Sequence, residues 1–153
     1  MFGRKQYSGL AIADYFIKKA LQRGETITNM HVLKIIYFVQ GFGFPELNRR
    51  IIKDDFYAWQ WGPVEVKTYE TFCIYRDRPI QYLSGFTNDE LREIEKDIVL
   101  CNFLDKFYRL REINPFVLSE KTHDPAGPWA KTIAYSVIDI KTIENYFRNY
   151  GQQ

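Results

Sequence analysis

Apolar residues recur at helical spacing along much of the chain. Leu10, Ala13, Ile17, Ala20 and Leu21 share one face. Ser8 can cap that stretch and Gly24 can stop it, so a first helix is expected from Ser8 to about Arg23. A second helix is expected behind Thr28. Val32, Leu33, Ile35, Ile36, Phe38 and Val39 make it apolar nearly all round, the pattern of a central buried helix. Gly41 and Gly43 are expected to end it, and Pro45 to prevent its resumption.

The pattern then changes. Ile51-Ile52 and Phe56-Tyr57-Ala58-Trp59 read as two short strands around the polar turn Lys53-Asp54. Gly62-Pro63 breaks the chain, and Pro63 suits the first position of a third helix reaching about Tyr75. Pro79 to Leu83 reads as a short extended piece. Thr87 and Glu90 have the spacing of a capping box, ahead of a long helix to about Arg111. Its core stripe is Leu91, Ile94, Ile98, Cys101, Leu104 and Tyr108. A loop with a helical turn covers Pro115 to Pro128, and a short helix is expected from Trp129. A last helix starts near Asp139, with Ile140, Ile143, Tyr146 and Phe147 inward and Gly151 just past its end. The expected fold is mainly α: one compact bundle of about five to six helices with a small β-hairpin, over residues 1–153.

Composition narrows the function. Twenty-one basic and 19 acidic residues nearly cancel, so there is no general pull toward nucleic acid or anionic membrane. No apolar run reaches the length of a membrane span, and the N-terminal residues lack a signal-like apolar core, which leads to a cytoplasmic expectation. Cys73 and Cys101 form no CxxC pair and read as buried, reduced thiols. The unusual figure is 17% aromatic residues; most are expected to fill the core, because aromatic side chains bury large areas, and any left on the surface would be natural anchors for a partner.

Signs of catalysis are few. No Walker loop, GxGxxG or HExxH occurs. His31 and His123 have no companion at zinc-ligand spacing, so no metal or cofactor is expected. Ser119, His123 and Asp124 contain the residue types of a nucleophile triad, but they crowd one loop and lack a nucleophile elbow. Non-catalytic binding is the preferred reading, with a small hydrolase using His123 as the alternative.

The most distinctive segment is Ala58-Trp59-Gln60-Trp61-Gly62-Pro63-Val64. If the run is extended, Trp59 and Trp61 point to one face. All three tryptophans lie here or in the loop from His123 to Trp129. Both segments are irregular backbone on a helical scaffold, where binding tends to sit. A partner surface shared by Tyr57, Trp59, Trp61, His123 and Trp129 is therefore expected. The competing reading is that the tryptophans plug the core.

Three blocks of the chain also resemble a known family. Ile27-Thr28 followed by Leu33-Lys34-Ile35-Ile36-Tyr37-Phe38-Val39-Gln40-Gly41 is similar to the pattern LQKLLYFAQG. The run Ala58 to Val64, with Tyr69 beyond it, is similar to AWxxGPVxxxxY. Leu118-Ser119, Thr122-His123 and Pro128-Trp129 are similar to LSxxTHxxxPW. These patterns are those of the Panacea domain, the SocA-like or GepA-like antitoxin domain. The chain departs from them at Val32 and Leu33, and the Asp124–Gly127 loop is somewhat long. The resemblance implies a mostly helical fold and an antitoxin that neutralises a cognate protein toxin by direct binding, or as an adaptor delivering it to a protease, possible further partners being that protease or a chaperone. A phage-associated accessory role is the alternative. It also implies that Lys34, Tyr37, Gln40, Gly62, Pro63, Val64, Tyr69, Leu118, Ser119, Thr122 and Pro128 are motif positions with structural roles.

Overall fold

The computed structural model describes residues 5–150. Ser8 caps α1 (Gly9–Gln22), its hydroxyl oxygen accepting from the Ala11 N–H at 3.0 Å. Gly24, at φ +65°, turns the chain out of the helix as expected. Leu21, expected inward, is exposed.

Thr28 caps α2 (Asn29–Leu47), which runs straight through the glycines expected to stop it. They serve packing instead. A Cβ on Gly41 would overlap the Phe147 ring, and one on Gly43 would lie 2.6 Å from Ile51. The missing side chains let other elements approach the helix closely. Pro45 sits in the final turn, where only its bond to the Gly41 carbonyl is forfeited. The helix ends at Asn48, which adopts the left-handed conformation.

The hairpin forms one step later than expected. Ile52 bridges Tyr7 rather than Phe56–Trp59. Its N–H and C=O are both taken by the Gln40 carboxamide, at 2.9 and 2.8 Å, so a buried side chain completes the backbone pairing. The true hairpin pairs β1 (Tyr57–Trp59) with β2 (Gly62–Val64), antiparallel, around a turn at Gln60-Trp61. Pro63 therefore lies in a strand, not at a helix start. Helix α3 (Val66–Phe72) is capped by the buried Glu65 carboxylate, which accepts from the Lys67 and Thr68 N–H groups. A 3₁₀ turn continues it to Tyr75. The 79–83 stretch is irregular, tied to Ile27 by a hydrogen bond from the Ile80 N–H at 2.9 Å.

The expected capping box at Thr87 is not formed, because tertiary partners claim both side chains. Thr87 donates its hydroxyl to buried Asp14 at 2.6 Å, and Glu90 accepts from the Ser8 N–H and hydroxyl. The expected long helix also breaks. Helix α4 (Asn88–Lys96) stops at Asp97, whose carboxylate caps α5 (Ile98–Asp105) by accepting from the Leu100 N–H. The break turns Ile98 out of the core stripe and leaves it exposed. A 3₁₀ segment (Tyr108–Glu112) leads to α6 (Pro115–Lys121). Residues from Trp129 form turns rather than a helix, and 135–138 run beside β1: the Tyr135 and Ile138 N–H groups donate to the Ala58 and Phe56 carbonyls. Helix α7 (Ile140–Arg148) buries Ile143 and Phe147, while Gly151 lies outside the described residues. Cys73 is exposed and Cys101 half-buried, so the expectation of two buried thiols fails for Cys73.

The core is built on α1 and α2. Helix α7 packs across α2 through Phe147, which meets Tyr37, Phe38 and Phe42 edge to face, the favoured geometry for aromatic rings. No helix among the described residues is long and apolar enough to cross a membrane.

Candidate functional site

The site is organised around a buried lysine. Lys34 sits mid-helix on α2, only 1% exposed, and its ammonium donates to the Pro63 carbonyl at 3.0 Å. Burial alone lowers its pKa to about 7. Gly62 lies directly over it at φ +122°: a Cβ there would stand 3.0 Å from Lys34 Cε and 2.6 Å from Thr122 Oγ1. Thr122, also buried, donates its hydroxyl to the Ser119 carbonyl at 2.6 Å. Helix α2, the hairpin and the end of α6 thus meet at one point. The residues that lock them are Lys34, Gly62, Pro63, Ser119 and Thr122.

Above this lock the hairpin walls a cleft of about 400 Å³. Met30 and Leu33 of α2, Trp59 and Trp61 of the hairpin, Tyr69 of α3 and Tyr135 line it. Trp61 occupies the hairpin turn and is 55% exposed, while Trp59 is half-buried with its ring 5.1 Å from Tyr69, edge to face. The turn places Trp61 off the strand, so the same-face alternation expected of an extended run does not apply. Lys34 and Arg76 also reach the cleft, and among the described residues no Asp or Glu lines it.

The second expected segment braces the first. Trp129 donates its indole N–H to the Trp59 carbonyl at 2.7 Å, and His123 stacks on the Trp129 ring with centroids 4.0 Å apart. Buried His123 Nε2 has no hydrogen-bond partner among the described residues. Asp124 accepts from the Tyr146 hydroxyl at 2.7 Å, which holds its carboxyl below the usual range, and from the Ala126 N–H. Ser119 donates its hydroxyl toward Met30 Sδ at 3.6 Å. Each of the three triad-like residues is thus engaged elsewhere.

The family model described as "Antitoxin SocA-like, Panacea domain" matches residues 32–130, well over half of the chain. The chain belongs to the Panacea-domain family. No curated protein and no solved structure matches it. Helices α1 and α7 lie outside the matched stretch, although both pack on α2.

In this Panacea domain the motif positions separate by role. Tyr37, 2% exposed, packs on Phe38, Phe56 and Phe147, and Gln40 ties down Ile52. Val64, Leu118 and Pro128 are buried. Tyr69 faces the cleft instead. Of the residues expected to form a partner surface, Trp59 and Trp61 line the cleft, Tyr57 pairs with Val64 in β1, and His123 and Trp129 support the hairpin from behind. Met30, Leu33, Arg76 and Tyr135 were not legible as cleft residues. They come from α2, the turn after the 3₁₀ segment that follows α3, and the 129–138 stretch, and only the fold gathers them. Buried Asp14, which anchors Ser84 and Thr87, carries no local pattern that marks it. His31 proves to be a strut: its Nε2–H donates to the Ile113 carbonyl at 2.8 Å, and its Nδ1 lies 2.8 Å from Thr28 Oγ1. Burial lowers its pKa, which favours the neutral ring those two bonds use.

Proposed function

We propose that this Panacea domain is an antitoxin that neutralises a cognate protein toxin by binding it directly through the hairpin face. The observation that carries this reading is Trp61, a tryptophan more than half exposed at the tip of a hairpin whose base is locked to the core through Pro63 and Lys34. Exposed tryptophans on a rigid support are the residues most enriched among binding hot spots. Preorganisation limits the entropy lost on association. The family description supports the antitoxin role, and the engagement of Ser119, His123 and Asp124 in other contacts weighs against the hydrolase alternative.

The test is co-expression of the chain with the product of the neighbouring gene, scored by growth and by co-purification. Restored growth with a stable complex is the expected result. The amount of toxin in the rescued cells separates the two modes: a direct block leaves it unchanged, whereas adaptor delivery to a protease lowers it. Rescue that is undiminished by Trp61→Ala would refute the hairpin face as the contact.

A further inference from the structure

The cleft beside the hairpin has a chemistry more specific than exposed apolar surface. The whole chain is nearly balanced in charge, with 21 basic and 19 acidic residues. The cleft is not: among the described residues it is lined by two bases, Lys34 and Arg76, and by no acid. Neither makes an ion pair among the described residues. Lys34 is held at the floor by the Pro63 carbonyl and, with its pKa lowered to about 7, is only partly protonated at neutral pH, so the lasting positive charge of the cleft is that of Arg76. Arg76 is exposed at the rim, where its planar fork suits a carboxylate. Asn29, which also lines the cleft and is 6% exposed, has a side-chain oxygen with no hydrogen-bond donor among the described residues, an acceptor suited to a backbone N–H of an entering segment rather than to its carboxylate.

The walls supply the other half of the recognition. Trp59, Trp61 and Tyr69 present aromatic surface, and Met30 adds a flexible, polarizable contact that adapts to different shapes. A volume of about 400 Å³ holds one or two bulky side chains, not a folded domain. The occupant this arrangement complements is apolar at its centre and negative at its edge.

We propose that the cleft receives an exposed segment of the partner protein in which a bulky apolar side chain is flanked by an aspartate or glutamate. The apolar side chain enters between Trp61, Tyr69 and Met30, and the carboxylate meets Arg76 at the rim. This rests on the protein-binding reading above and specifies the chemistry of the partner. Charge complementarity of this kind selects among partners and speeds encounter as well as adding affinity.

The probes are short synthetic peptides with a central Trp, Phe or Leu, flanked by Glu, Gln or Lys, titrated into the full chain by fluorescence anisotropy. Glu-flanked peptides are expected to bind roughly tenfold or more tighter than Lys-flanked ones. Arg76→Glu should abolish or invert that order, while Trp61→Ala should weaken all apolar peptides. Both side chains are exposed, so unchanged thermal unfolding certifies that each variant is folded. Equal binding of Glu- and Lys-flanked peptides, no binding of either, or preferential binding of ATP or GTP in the cleft would overturn the proposal. A parallel toxin-rescue assay keeps the two readings apart. If wild type and Arg76→Glu rescue growth equally, the cleft chemistry falls and the antitoxin reading stands. If wild type rescues nothing but the peptide order holds, the reverse applies.

Discussion

Replacing Gly62 by alanine tests whether the lock beneath the hairpin is as tight as the geometry says. Two costs add. The backbone at φ +122° is a region that residues with a Cβ adopt only under strain, of about 1–3 kcal/mol. The new Cβ would also stand 2.6 Å from Thr122 Oγ1 and 3.0 Å from Lys34 Cε. Neither neighbour is a free side-chain end, because Thr122 is bonded to the Ser119 carbonyl and Lys34 to the Pro63 carbonyl. Overpacking of this kind costs a further ~1–3 kcal/mol. A domain of this size loses about 2–4 °C of melting temperature per kcal/mol, so a total near ~4 kcal/mol predicts a fall of roughly 10 °C. Gly24→Ala is the internal control. Gly24 also has a positive φ, +65°, but a Cβ there meets nothing within 4 Å. It should cost only the conformational penalty, about 1 kcal/mol. Both variants are read by circular dichroism against temperature. If Gly62→Ala melts within a degree or two of Gly24→Ala, the overlap with Lys34 and Thr122 is not real, and the convergence of the motif residues loses its main support.

Lys34→Met removes a buried cation whose pKa is lowered from 10.5 to about 7. Between those values the unfolded chain holds a proton that the folded chain has released, so wild-type stability rises with pH in that window, by at most about 1.4 kcal/mol per unit. Below about pH 7 both states are protonated and the burial cost is fully present. Urea unfolding at about pH 7 and pH 9 should therefore show wild type gaining on Lys34→Met, and parallel changes in the two proteins would refute it. Gln40→Ala leaves the buried N–H of Ile52 without its partner, while the Ile52 carbonyl keeps the bond from Arg50 Nε at 2.7 Å, and should cost about 1–3 kcal/mol, measured by the same unfolding curves. Gly41→Ala drives a methyl into the Phe147 ring and should cost ~1–3 kcal/mol; adding Phe147→Leu should recover part of that loss, and strict additivity of the two changes would contradict the contact.

The helices of the fold were largely legible because burial periodicity and local caps agree: Ser8, Thr28 and Asp139 each cap the helix that follows. The failures share a cause, which is long-range contact overriding a local signal. Gly41 and Gly43 carry the local signal of a helix stop, but Phe147 and Ile51 fill the space their missing side chains leave. Thr87 and Glu90 have the spacing of a capping box, but Asp14 and Ser8 claim their oxygens. Asp97 was legible only as one more polar residue in a helical stripe, yet it ends one helix and starts the next. Of the site, the tryptophans stood out by type alone. The cleft they line did not, since Met30, Arg76 and Tyr135 lie in α2 and in two turns far apart in the chain.

The positions that resemble the family pattern and the positions that face solvent at the cleft are, for the most part, different residues. Lys34, Gly62, Pro63, Ser119 and Thr122 meet inside the molecule, where a substitution alters packing first. The pattern AWxxGPV leaves two positions open, and in this chain they hold Gln60 and Trp61, the two residues of the hairpin turn. A fixed base under an open tip would let one scaffold present different side chains to different partners with little loss of stability. The consequence can be measured. Trp61→Ala removes a ring that is more than half in water, so it should cost under about 1 kcal/mol of folding free energy. The same change should cost about 2 kcal/mol or more of partner affinity if the tip is the anchor. Calorimetry of binding and of unfolding on one preparation gives both numbers. A Trp61→Ala protein that loses stability and affinity in equal measure would mean that Trp61 belongs to the base and that the division between base and tip is wrong.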